Sequence, residues 1–165
     1  MQQRRWQFCL VNLMKPETII SFINRNFDHV FPKQSWGETS FFVNPERKLP
    51  SGTYFATLKE KDGANDQSSN LNREGIFRLS VGPEKEVFKT LFGEPPARPP
   101  KGGIIQGPWD FSQKNVVMPH PIYGWMCWIC VLNPTKEVFS DIDHLLTSAY
   151  EKALNSAYKR LDKSS

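Results

Sequence analysis

At 165 residues the chain is most naturally one domain, able to bury roughly 70% of its unfolded surface. Lys and Arg (21) exceed Asp and Glu (17) by four, too mild a margin for the clustered basic footprint of a dedicated nucleic-acid binder. Three cysteines make no disulfide framework and fit a reducing compartment, so a cytoplasmic location is expected, and no window approaches the ~20 apolar residues of a membrane span.

The opening MQQRRWQFCLVNLM superficially resembles a signal peptide, but Gln7 and Asn12 interrupt its apolar run and no small-residue cleavage site follows. Residues 1–13 read as an ordered first strand or as a loose N-terminal extension, ahead of a single α+β domain over 14–165. KPETIISFINRNF is the first clear element. Pro16 suits a first helical turn, Glu17 favours the positive helix end, and Ile19, Ile20, Ile23 and Phe27 share one face.

From Phe31 to Val81 short β-rich runs follow, TSFFV, TYFATLK and GIFRLSV, separated by turn formers. Alternation in TYFATLK places Tyr54, Ala56 and Leu58 on one face and Phe55, Thr57 and Lys59 on the other. In GIFRLSV it sets Ile76, Arg78 and Ser80 against Phe77, Leu79 and Val81, leaving a polar face for solvent or a ligand. An antiparallel sheet with one covered face follows. NPERKLPSG is a polar hairpin loop, and EKDGANDQSSNLNREG a long connection that is either solvated or the rim of a site.

Pro83 opens a helix, PEKEVFKTLFG, with Val87, Phe88, Leu91 and Phe92 on its buried side and Gly93 at its end. Residues 94–108 are rich in Pro and Gly and read as a surface crossover. Asn133 and Pro134 form an N-cap and N1 pair for a long closing helix. Its stripe is Val138, Ile142, Leu145, Ala149 and Ala153, widened by Leu146, Tyr150 and Ala157.

MPHPIYGWMCWICVLNP is the stretch that looks chemical. WMCWICVL lacks the helix start of a redox C-x-x-C and the turn of a zinc site, so it reads as a buried strand with Cys127 and Cys130 facing opposite sides as packing residues. His120, between two prolines, is held on a stiff extended segment. Its imidazole either serves the core by bonding backbone or faces a ligand. No histidine spacing supports a metal, no cofactor motif occurs, and no G-x-S-x-G or phosphate loop is present. In the long loop, Lys59, Lys61, Asp62, Asp66, Asn70 and Arg73 supply anion-binding and hydrogen-bonding groups. Trp36 and Gly37 read as a turn with the indole covering the sheet, or lining a groove at its edge.

SWGETSFFVNP, YFATLKEKDG, SSNLNREGIFRLSVG, FKTLFG, MPHPIYGWMCWICVLNP and the closing helix together resemble an uncharacterised bacterial family known only as a domain of unknown function, over roughly Met14 to Leu161. More loosely, the chain is similar to the MmcQ/YjbR-like proteins, small α/β domains with an antiparallel sheet flanked by helices. The resemblance singles out Trp36, Gly37, Asn70, Leu71, Arg73, Gly75, Phe77, Arg78, His120, Pro121, Tyr123, Trp128, Asn133 and Pro134, and implies no activity. The first thirteen residues and Glu94 to Pro108 depart from the family pattern.

Three functions follow from these readings. The first is a non-catalytic binding module for a small polar or anionic ligand or a protein partner, built from His120, Tyr123, Arg73, Arg78, Asn70 and Trp36. The second is a nucleic-acid binder, drawing on a pI of about 9.0, the basic ends (Arg4, Arg5, Lys159, Arg160, Lys163) and fold analogy. The third is an enzyme using His120 as general acid or base.

Overall fold

The computed structural model describes residues 12–164. The expectations for residues 1–11, including Arg4, Arg5 and Cys9, lie outside the described residues. Helix α1 (Pro16–Asn26) starts with Pro16 in its first turn and buries Ile19 and Ile23 completely. Strands β1 (Val30–Ser35), β2 (Glu38–Val43), β3 (Thr53–Lys59), β4 (Arg78–Val81), β5 (Met118–Pro119) and β6 (Ile129–Leu132) form one open sheet in the order β1-β2-β3-β4-β6-β5. Every pairing is antiparallel. Helix α2 (Lys85–Phe92) follows β4, and α3 (Lys136–Asp141) and α4 (Asp143–Ser164) close the chain. This is the α+β architecture expected, with its long C-terminal helix. Among the described residues no helix is long and apolar enough to cross a membrane.

One sheet face carries the main core. Phe41, Val43, Phe55, Ala56, Leu58, Leu79, Val81, Ile129 and Val131 meet Ile142, Leu145, Leu146, Ala149 and Ala153 of the closing helices, joined by Ile19 and Ile23 of α1. The small residues at 149, 153 and 157 suit close approach of α4 to the strands, and α4 contacts β3 most extensively. Ring pairs Phe22 with Phe139, and Phe27 with Tyr150 and Phe55, fill the gap between α1 and the closing helices.

Several local expectations are corrected. A bulge in β3 opposite Phe41 and Phe42 leaves Phe55 unpaired in the register. An extra residue breaks the two-residue period, so Phe55 and Ala56 both enter the core, and Tyr54 turns to the opposite face with Thr57 and Lys59. The second helix buries Phe88, but Leu91 is 46% exposed. The cap of α3 is Thr135, whose hydroxyl accepts from Val138 N at 3.2 Å, and not Asn133. Asn133 instead sits at φ 42 and clamps a neighbouring segment, accepting from Phe77 N at 3.0 Å and donating to Gly75 O at 2.8 Å.

The stretch WMCWICVL is not one strand. Gly124–Met126 is a 3₁₀ turn ending at Cys127 in the left-handed region, φ 70, and β6 begins only at Ile129. The two free thiols still diverge: Cys127 belongs to the main core, and Cys130 packs on the other sheet face with Ile105, Phe111 and Met118. That second cluster corrects the expectation of an open polar face over β4. Ile105, from the Pro/Gly-rich segment, is held by its N–H to Pro121 O at 2.8 Å and packs over Met118 of β5 and Cys130 of β6, while Arg78 and Ser80 of β4 are themselves buried. The β1-β2-β3 half stays uncovered, and the boundary between the halves is a cavity.

Candidate functional site

The cavity measures about 460 Å³ and its floor is read directly from strand register. Three cross-strand rows run along it. Glu38, Lys59 and Arg78 are register partners and form a row of charges. One step along, Ser40, Thr57 and Ser80 form a row of hydroxyls, continued by Cys130. A further step gives Phe42 opposite Tyr54, with ring centroids 5.7 Å apart, and Trp128 at 5.4 Å from Tyr54. Gly82 makes the last contact possible. A Cβ there would lie 2.6 Å from the Trp128 indole, so only glycine lets the ring lie over that backbone. The bulge in β3 is what brings Tyr54 into this row.

The charge row is closed by the loop between β3 and β4. Gly63 and Asp66 exchange both backbone hydrogen bonds, a tight turn that drops the Asp66 carboxylate onto the row. Asp66 accepts from Arg78 through both terminal nitrogens, Nη1 at 3.0 Å, and from Lys59 Nζ at 3.0 Å, while Ser69 Oγ takes a further Nη1 bond at 2.9 Å. Glu38 lies 4.0 Å from Lys59. Burial alone would raise the Asp66 carboxyl, but the Arg78 and Lys59 donors reverse this and hold it well below the usual carboxylate range. Burial likewise opposes the charge on Arg78, and Asp66 more than restores it.

His120 stands on the other wall. Its backbone continues the sheet edge, N–H to Trp128 O at 2.9 Å, and its carbonyl accepts from Gly124 N at 2.8 Å. Nδ1 accepts from Ile122 N and Tyr123 N, each at 3.1 Å, so the ring caps its own turn. Accepting at Nδ1 places the proton of the neutral ring on Nε2. Burial first, and then the charge of Arg78, hold its pKa well below the ordinary value. Tyr123 leans against the imidazole with centroids 5.0 Å apart and remains 46% exposed at the cavity mouth. Burial pushes the Cys130 thiol up to about 12, which leaves it an unreactive packing group.

Of the residues picked from sequence, the fold brings His120, Tyr123 and Arg78 to one cavity. Trp36 lies in an adjoining cleft that shares Glu38, Lys59, Gly63 and Ala64 with it. The indole does not cover the sheet: it is 96% exposed at the β1–β2 hairpin tip, where Trp36 and Gly37 both take positive φ. Arg73 is elsewhere. Its guanidinium donates to the carbonyls of Asn70, Ser69 and Ser112, pinning the loop to the segment that covers the sheet. Asn70 is exposed, with φ 52 and its carbonyl taken by Arg73. The sequence reading offered Asp66 and Lys59 only within a loop that is either solvated or the rim of a site, named Trp128 through the family resemblance without a site role, and gave none to Tyr54 or Thr57. Lys59 and Thr57 share a strand period, but Asp66 carries no local signal of its partner twelve positions on.

Among the described residues no group of three or more His, Cys, Asp or Glu side chains is placed to hold a metal ion. No curated protein and no solved structure matches the chain. A model described as a family of unknown function (DUF6194) matches residues 14–162, and the chain belongs to that family.

Proposed function

We propose that this protein is a non-catalytic binding module that takes a small polar molecule into the cavity on the open half of its sheet. The observation that carries the reading is the floor itself: a volume of about 460 Å³ with half-exposed aromatic rings on one side and buried, oriented polar groups on the other. That combination, in that size range, is what small-ligand sites have in common. Of the polar and anionic ligands, the uncharged kind is favoured, since Lys59 and Arg78 are already engaged by Asp66.

Acid–base catalysis by His120 is the weaker reading, because the ring is buried, held neutral and committed through Nδ1 to its own turn. Nucleic-acid binding finds little support in cations that already have partners, and Arg160 near the C-terminal end donates to Gly52 O and Thr53 Oγ1. The remaining expectations belong to the same proposal: one domain over 14–165 from chain length, a cytoplasmic location from cysteine usage, and a bacterial source and a distant relation to MmcQ/YjbR-like proteins from the sequence resemblance. A thermal-shift screen of neutral, zwitterionic and anionic metabolites tests the binding reading. Stabilisation by at least one neutral polar class, lost in Trp128→Ala, is expected. A flat response across all classes overturns it.

A further inference from the structure

The uncovered half of the sheet carries a line of aromatic rings that runs across the strands. Phe31 of β1 is the register partner of Phe42, Phe42 is opposite Tyr54, and Trp128 ends the line over Gly82. None of the four is buried. Phe42 lines the cavity and also the neighbouring cleft that holds Phe31 and Arg47, so the row is a track shared by two clefts. From Phe42 to Trp128 successive ring centroids are 5.7 Å and 5.4 Å apart, close to the advance per sugar residue of an extended pyranose chain. Successive ring planes are also tilted, by 59° and 39°. A rigid flat ligand cannot lie on planes so inclined, whereas a chain of linked rings turns from one to the next.

Polar groups border this track on the same face. Ser40 and Thr57 are register partners one step of two residues from the rings, and Glu38 with Lys59 stands a second step away, about 13 Å from the aromatic row along the strands. All four are partly accessible and line the cavity. A hydroxyl both donates and accepts, and Glu38, only 4.0 Å from Lys59, keeps carboxylate oxygens able to accept. Such a border matches a ligand whose own rim donates and accepts at the same atoms, as sugar hydroxyls do. Lys59 and Arg78 are balanced by Asp66 and Glu38, so the border calls for no net charge. A pyranose is also apolar on its faces, where weakly positive C–H groups suit the negative face of an aromatic ring.

We propose, resting on the small-molecule reading above, that the ligand is a short uncharged oligosaccharide lying across the strands along Phe42, Tyr54 and Trp128, with its hydroxyl rim toward Ser40, Thr57 and Glu38. A free chain and the surface of a crystalline polysaccharide share this chemistry. The tilt between successive rings selects the free chain, because a crystalline surface needs coplanar rings.

The test is a titration of the full chain followed by tryptophan fluorescence and thermal shift. The probes are cellotriose, maltotriose, mannotriose and chitotriose, with their monosaccharides, trigalacturonate and microcrystalline cellulose for comparison. At least one trisaccharide should bind, at least ~10-fold more tightly than its monosaccharide, because successive rings are engaged together. Trigalacturonate should bind more weakly, its carboxylates facing Glu38 and Asp66. Tyr54→Ala, at a side chain 47% exposed, should weaken the trisaccharide at least ~10-fold with an unchanged urea midpoint, and Tyr54→Phe should keep most of the affinity. Thr57→Val should weaken it ~3-fold or more through the lost hydroxyl.

Silence from all four trisaccharides overturns the oligosaccharide assignment. A monosaccharide or trigalacturonate that binds as tightly overturns it too, as does capture by microcrystalline cellulose without binding of a soluble trisaccharide. Each of these leaves the small-molecule reading standing if the wider metabolite screen finds a neutral ligand, and silence there removes that reading as well.

Discussion

Replacing Asp66 by Asn would leave the Arg78 guanidinium almost fully buried with a neutral partner in place of its carboxylate. Breaking a buried ion pair from one side costs about 3–5 kcal/mol, mostly through the stranded charge. Urea denaturation of Asp66→Asn should show a loss of that size. Asp66→Leu combined with Arg78→Met should recover part of it. The same pair predicts acid sensitivity. Because the folded carboxyl titrates well below the unfolded one, its contribution is present above about pH 4 and is lost as pH falls from there. His120 gives a separate window. Its folded pKa is depressed, so the unfolded chain gains a proton first, and stability falls as pH drops below about 6.5. Stability measured between pH 7.5 and 5.5 should slope by up to about 1.4 kcal/mol per unit more in the wild type than in His120→Gln.

At the scale of elements, the β3 bulge and Gly82 together set the aromatic row. Gly82→Ala should push the Trp128 ring off the strand, costing about 1–3 kcal/mol and shifting tryptophan emission, both checked in one urea titration followed by fluorescence. Neither feature was readable in advance. The helices were: Ile19 and Ile23, Phe88, and the Leu145, Ala149, Ala153 stripe all bury as their period requires. Strand identity was legible too, because TYFATLK and RLSV carry β-branched and aromatic residues in alternation. What a single sequence hides is the partner. Phe55 counts as outward until the register with Phe41 and Phe42 inserts it as an extra residue. Arg78 looks solvent-facing until Asp66 and Ser69 of the preceding loop close on its guanidinium. Asn133 looks like a helix cap until Phe77 N, from another strand region, claims its side chain.

For the molecule as a whole, the two sheet faces do different work. One is covered by α1 and the closing helices and supplies the core, while the other is half covered by an irregular segment whose border becomes the cavity. The strand order carries a consequence for folding kinetics. Strands β1 to β4 pair in sequence order across connections of at most 18 residues, but β6 reaches β4 only across residues 82–128. Closing that long loop is slow compared with zipping the meander, so the transition state should contain β2 and β3 with β6 still undocked. Stopped-flow measurements should find that Leu58→Ala mainly slows folding and Val131→Ala mainly speeds unfolding. Phe42 and Tyr54 would then be in place before Trp128 and His120 arrive, making the cavity the last part of the molecule to form and the first to open.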